Sequence, residues 1–136
     1  EKQRMGKNEF RIPAALECEN KLVWWHLKTI IHALEYEVLE IKWEHDLHDP
    51  DNPKRKLFGL YEVPIIYLDD SLLKVEAAKV LLHETLHAIW DIGNDETFIL
   101  ELERLLWKRL TKTHKDFLAG YLPRKPLCKK CIEPRF

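Results

Sequence analysis

Residues 81–90 read LLHETLHAIW and contain the pattern H-E-x-x-H, in which His83 and His87 stand four positions apart. In a helix this spacing brings both imidazoles to one face, so that they can bind one zinc ion with Glu84 beside them. Apolar residues around the motif recur at helical spacing, and Asp70 or Ser71 can cap the start of the predicted helix. The apolar stripe consists of Val75, Ala78, Leu82, Leu86 and Ile89. The two histidines lie beside this stripe, so they can face a cleft while their neighbours face the core.

The chain before the motif predicts one helix and two strands. Apolar residues recur at helical spacing from about residue 19 to residue 35, and Asn20 is a suitable N-cap. Between residues 36 and 44 the period shortens to two with one slip of phase, which predicts a strand with a bulge. A short strand is also predicted at residues 9–12, ended by Pro13.

Residues 45–56 and 57–69 separate the strand predicted at residues 36–44 from the motif helix. Residues 45–56, HDLHDPDNPKRK, are polar and contain two prolines, so we interpret them as a solvated surface loop and not as a metal cluster. Residues 57–69 predict two short extended pieces interrupted by Gly59 and Pro64. Because proline cannot donate to a ladder, Pro64 predicts an edge strand or the first residue of a strand. An edge strand over residues 64–68 could bind an extended peptide by adding it to the sheet.

A second helix is predicted directly after the motif helix. Gly93 predicts the end of the first helix, and Asn94 or Asp95 can cap the next, which spans about residues 96–114. Helices joined by so short a turn fold back on each other, so Glu96 is expected near the two histidines. The residues expected to face the core are Phe98, Ile99, Leu102, Leu105, Leu106 and Leu110.

The third metal ligand decides the class of site. A catalytic zinc commonly has three protein ligands and one position for water. The metzincin pattern is excluded, because Trp90 and Gly93 stand where it requires glycine and histidine. Glutamate on a following helix is the remaining common solution, and Glu96 lies at the first turn of that helix. The alternatives that the sequence leaves open are Asp91, Asp95, Glu101 and Glu103.

Glu84 has the position of a catalytic base in such a site. Its carboxylate can accept a proton from water activated by the metal and pass it to a leaving amine. Groups that could stabilise an oxyanion are identified by residue type alone. They are Tyr61, Tyr67, His114 and Tyr121.

The composition limits the cellular setting and the partners. Lys and Arg together number 22 against 23 Asp and Glu, so no excess charge attracts nucleic acid or an acidic membrane. No apolar run is long enough to span a bilayer, and the charged residues 1–4 are followed by no apolar signal core. Three cysteines are too few, and odd in number, for a disulfide framework. We therefore expect a cytoplasmic protein without a membrane partner.

The chain is long enough for one compact domain, which we place at residues 1–119, followed by a basic tail at residues 120–136. In the tail, Cys128 and Cys131 form half of a structural zinc site, which Cys18, a histidine or a second copy of the chain could complete. We interpret the pair as free thiols and the tail as solvated, with contact to nucleic acid as the alternative.

Residues 58–110 resemble the ImmA/IrrE-type zinc peptidases, especially the small versions of phages and mobile elements. The resemblance rests on a strand ending in IYLD, a helix carrying KVLLHETLHAIW, a short turn and a second helix with an acidic start. It implies an α+β, zincin-like fold with a small antiparallel or mixed sheet packed on helices. It also implies zinc ligands His83, His87 and Glu96, with Glu84 as catalytic base. Thr85-Leu86 and Leu100 depart from residues that are common in that family.

The sequence thus predicts a zinc metallopeptidase that hydrolyses peptide bonds of a protein substrate. One alternative is a non-catalytic module with the same fold, which a phage or mobile element would use to capture a host protein. The other alternative is an accessory protein that binds nucleic acid through the basic tail. The sequence does not predict an oligomeric state.

Overall fold

The computed structural model describes residues 11–36, 39–90 and 96–125, and these residues form an α+β fold. A short 3₁₀ turn comes first, followed by a long helix, five strands and three further helices. The elements are the turn Ala14–Leu16, α1 (Lys21–Tyr36), β1 (Glu40–Glu44), β2 (His48–Asp49), β3 (Asn52–Lys56), β4 (Gly59–Glu62), β5 (Ile65–Asp69), α2 (Lys74–Ile89), α3 (Glu96–Arg109) and α4 (Lys112–Ala119).

The main sheet is mixed and has the strand order β1-β5-β4. β1 pairs with β5 in parallel, with Trp43 opposite Leu68, while β4 pairs with β5 antiparallel, with Tyr61 opposite Ile66. The prediction of an edge strand at residues 64–68 is therefore wrong, and the alternative for Pro64, the first residue of a strand, misses by one position because β5 begins at Ile65. β5 is the central strand, with Ile66 and Leu68 completely buried, and β4 is an edge. Pro64 lies in the turn before β5, where its carbonyl accepts a hydrogen bond from Glu40. Sequence spacing does not reveal that β5 pairs with the earlier strand β1.

The predicted loop at residues 45–56 contains a small hairpin of β2 and β3. All five residues of β3 are exposed, so the stretch lacks the apolar alternation by which a strand is recognised. Buried Asp69 anchors the hairpin. Its carboxylate accepts hydrogen bonds of 2.7 Å from both the backbone of Leu47 and the ammonium of Lys56.

The first helix follows its prediction, whereas the start of the motif helix does not. Asn20 Oδ1 accepts bonds of 3.0 Å from the backbone of both Leu22 and Val23, which confirms it as the cap of α1. α2 begins at Lys74, later than the predicted caps Asp70 and Ser71, and the Glu76 carboxylate accepts from the Leu73 backbone instead. Ser71 is held in the preceding turn, where it donates to Asp69. Val75, expected to face the core, is exposed.

The predicted helix over residues 96–114 is two helices. α3 ends at Arg109, and Thr111 caps α4 by accepting from the backbone of His114 at 3.4 Å. The His114 ring accepts from the Thr111 backbone at 2.9 Å and donates through Nε2 to Leu16 at 2.7 Å. These bonds bind the start of α4 to the N-terminal turn, which explains the break. Phe98 and Leu105, expected inside, are exposed because α3 has only a narrow buried stripe.

The motif helix α2 lies at the centre of the domain, in contact with β4, β5 and the other three helices. Its buried residues are Ala77, Ala78, Leu81, Leu82, Glu84, Thr85 and Leu86. Residues at the start of the predicted tail also contact the domain: Pro123 accepts from Trp43, and Lys125 donates to the carbonyls of Asp70 and Leu72. In the described parts of the chain, no helix is long and apolar enough to cross a bilayer.

The remaining predictions for the terminal and linking segments fall mostly outside the described residues. Residues 9 and 10 lie outside them, and residues 11–13 form no strand. Residues 37–38 also lie outside them, and the bulged strand predicted from residue 36 is a regular strand that begins at Glu40. The predicted helix stop at Gly93 and the paired cysteines Cys128 and Cys131 lie outside the described residues as well.

Candidate metal centre

Two imidazoles of α2 and one carboxylate of α3 converge at one end of a cleft. His87 Nε2 lies 2.8 Å from Glu96 Oε1, His83 Nε2 lies 3.1 Å from Glu96 Oε2, and the two Nε2 atoms are 3.2 Å apart. The helical spacing of the motif aligns the histidines, and the start of α3 beside the end of α2 brings Glu96 to them. Among the described residues, this is the only group of three or more potential ligands.

The donor set fits a zinc ion. Ligand atoms about 2.0–2.1 Å from a tetrahedral zinc lie about 3.3 Å from one another. The three separations, 2.8–3.2 Å, of which the two that involve Glu96 run to its two carboxylate oxygens, are close to that value. Two neutral imidazoles and one carboxylate are also the ligands of a common type of catalytic zinc site that leaves the fourth position for water.

Of the alternative third ligands, Glu101 and Glu103 lie elsewhere. Glu101 is exposed and forms an ion pair with Arg104 at 2.8 Å. Glu103 contacts His83, but at the opposite ring nitrogen: its Oε1 lies 2.8 Å from Nδ1. Asp91 and Asp95 fall outside the described residues. Glu96 is thus the carboxylate that the structure brings to both Nε2 atoms.

Glu103 also affects the protonation of His83. Burial by itself lowers the pKa of His83, but the hydrogen bond to Glu103 and the charges of Glu84 and Glu96 more than compensate, so the pKa is raised. The side chains of His83 and Glu103 are each only 12% exposed. Water therefore screens this hydrogen bond weakly.

Glu84 is the buried acid of the motif and lies beneath the edge strand β4. A Cβ atom added to Gly59 would lie 2.9 Å from Glu84 Oε2 and 2.4 Å from Val80 Cγ1, so only glycine fits between the strand and the helix. Burial raises the pKa of Glu84 to about 7, partly opposed by His83 and increased by the charges of Glu96 and Glu103. A carboxyl group with this pKa can exchange protons near neutral pH.

The cleft has a volume of about 270 Å³ and lies between α2, β4 and the β2–β3 hairpin. Of the tyrosines and the histidine suggested for oxyanion stabilisation, only Tyr61 lines it. His114 is held at the N-terminal turn, Tyr121 donates to Glu35, and Tyr67 lies at a separate surface cavity.

Sequence reasoning missed three parts of this site. Asp49 and Arg55 line the cleft from a hairpin interpreted as a loop, and no periodicity identified them. The sequence pattern indicates Gly59 only as a break between extended pieces, although an isolated glycine in a strand can also signal close approach of another segment. Glu103 is one of the alternative metal ligands that the sequence leaves open. No sequence signal distinguishes a carboxylate that binds the metal from one that hydrogen-bonds a metal-binding histidine.

Comparisons with known proteins do not assign the chain to a family. The chain matched no family model, and neither the curated proteins nor the solved structures gave a significant match.

Proposed function

We propose that the protein is a zinc-dependent metallopeptidase with a zincin-like fold that hydrolyses peptide bonds of a protein substrate. The observation that carries the proposal is the convergence of His83, His87 and Glu96 at a cleft that also contains the buried carboxyl group of Glu84. The small number of cysteines agrees with a cytoplasmic setting.

Each of these residues has a defined task. Zinc, when bound, supplies a Lewis acid and lowers the pKa of water to about 7. His83, His87 and Glu96 would hold the ion through Nε2, Nε2 and a carboxylate oxygen. Glu84 would take the proton of the attacking water on its carboxylate and deliver it to the leaving amine nitrogen. Tyr61 lines the same cleft, so its hydroxyl is the candidate donor to the developing oxyanion.

The strand β4 is the proposed binding site for the substrate backbone. It pairs with β5 on one side, and its residues Gly59, Leu60 and Tyr61 line the cleft. An extended peptide could pair with the other side of β4 and pass over Glu84. This replaces the expectation that the substrate lies along residues 64–68, since β5 is enclosed by two strands.

The decisive experiment compares zinc content and hydrolysis of a quenched fluorescent peptide library for three variants. We expect Glu84→Gln to retain zinc and lose hydrolysis by at least about 100-fold, because the base is removed while all ligands remain. His87→Ala should lose both zinc and hydrolysis. Glu101→Gln, on the exposed face of α3, should change neither.

Undiminished hydrolysis by Glu84→Gln would rule out the assigned base. Stoichiometric zinc in the wild type without turnover of any peptide would instead favour a non-catalytic module that captures a partner protein.

A further inference from the structure

We propose that Glu103 is a positioning residue of the metal site, which selects the tautomer of His83 that leaves Nε2 free to bind a metal ion. The proposal rests on the metal site assigned above, but not on peptidase activity. It concerns a residue outside the H-E-x-x-H motif, two turns beyond Glu96 on α3.

The geometry places an acceptor at each nitrogen of the His83 ring. Glu103 Oε1 lies 2.8 Å from Nδ1, and Glu96 Oε2 lies 3.1 Å from Nε2. A neutral imidazole has one proton, which resides on the nitrogen with the better acceptor. The two carboxylates therefore compete for the same proton.

Only one outcome of this competition permits metal binding through Nε2. If the proton is on Nε2, the lone pair needed by the metal is absent. If it is on Nδ1, the Nε2 lone pair points toward His87 Nε2 and Glu96. Glu103 has the shorter contact and a side chain only 12% exposed, whereas that of Glu96 is 52% exposed and better solvated. Both differences favour the proton on Nδ1 and the free lone pair on Nε2.

Lys79 completes the arrangement on the same face of α2. It lies one turn before His83, and its Nζ is 3.8 Å from Glu103 Oε2, the oxygen that does not contact the histidine. This separation exceeds a hydrogen bond, so the attraction is weak, but it draws the second oxygen away from the ring. Glu103 thus lies beside the two helical positions 79 and 83, hydrogen-bonded to His83 and weakly attracted to Lys79.

The test measures zinc affinity by competition with a chromophoric chelator for the wild type, Glu103→Ala, Glu103→Gln and the control Glu101→Ala. Removal of the outer partner of a metal-binding histidine typically lowers affinity 10–100-fold. We expect a loss of about that size for Glu103→Ala. Glu103→Gln should show a smaller loss, since its amide oxygen still accepts from Nδ1 but lacks the charge. Glu101→Ala should bind zinc like the wild type.

A second measurement separates positioning from a general loss of structure. Long-range ¹H–¹⁵N NMR of the metal-free protein, at a pH high enough for the His83 ring to be neutral, should find its single proton on Nδ1 in the wild type and on Nε2 in Glu103→Ala. Zinc affinity of Glu103→Ala within twofold of the wild type, an unchanged tautomer, or an equal loss in Glu101→Ala would overturn the proposal. Zinc binding with no hydrolysis would refute the peptidase and leave Glu103 in its role, whereas a wild type that binds no zinc would overturn both.

Discussion

Replacement of Gly59 by alanine should displace Glu84 and destabilise the fold at the same point. The new Cβ would lie 2.4 Å from Val80 Cγ1, and carbon atoms normally meet at about 3.5–4.0 Å. Strand β4 or helix α2 must therefore shift by about 1 Å. The same Cβ would lie 2.9 Å from Glu84 Oε2, which is the end of a flexible side chain and would be pushed aside.

The expected loss of stability follows from these contacts. Overpacking of this kind costs about 1–3 kcal/mol, and the lower unfolded-state entropy of alanine returns about 0.4–1 kcal/mol. The net loss is about 1–2 kcal/mol, which for a chain of this size corresponds to a fall in Tm of roughly 3–6 °C. Differential scanning calorimetry of the metal-free protein measures this fall in Tm and does not depend on any catalytic activity.

The double variant Gly59→Ala/Val80→Ala distinguishes the two contacts. It removes the methyl group that lies 2.4 Å away but keeps the contact with Glu84. The double variant should be more stable than the two single variants predict by addition, because the clash is absent. Hydrolysis, in contrast, should stay low in Gly59→Ala and in the double variant, since misplacement of a catalytic group by about 1 Å can cost about 100-fold. A Gly59→Ala variant with the Tm and activity of the wild type would refute this account of the packing.

Two further predictions concern the acid and the metal dependence of stability. Burial by itself would raise the pKa of Asp69, but its bonds from Leu47, Lys56 and Ser71 lower it from 3.8 to about 2. Because the folded-state pKa is the lower one, Asp69 contributes about 2 kcal/mol above pH 5, which is lost as the pH falls through 4 to 2. Urea unfolding of Asp69→Asn should show that loss at pH 7 and little of it near pH 2; an equal deficit at both pH values would contradict the assignment. Zinc at 100 times its Kd should stabilise the wild type by about 2.7 kcal/mol in thermal unfolding and leave His87→Ala unchanged, and equal stabilisation of both would place the ion elsewhere.

The sequence by itself determined the features that depend on local periodicity. The four-residue spacing of His83 and His87 dictates a shared helix face, and Ala78, Leu82 and Leu86 of the apolar stripe mark the buried side of α2. Asn20 was identified as a cap because capping involves only neighbouring residues. The position of the motif between a strand and a second helix could be predicted from the same local patterns, whereas the α+β class was implied by the resemblance to known zinc peptidases.

Tertiary structure alone decided which distant groups meet. Five carboxylates were candidates for the third ligand, and the packing of α3 on α2 brings Glu96 to Nε2 and Glu103 to Nδ1. The central place of β5 depends on its pairing with the earlier strand β1, and the interruption between α3 and α4 depends on the hydrogen bond from His114 to Leu16. Gly59 became part of the site only because β4 crosses α2 above Glu84. Contacts between residues far apart in the chain depend on how the helices and strands pack, and periodicity within one segment does not specify that packing.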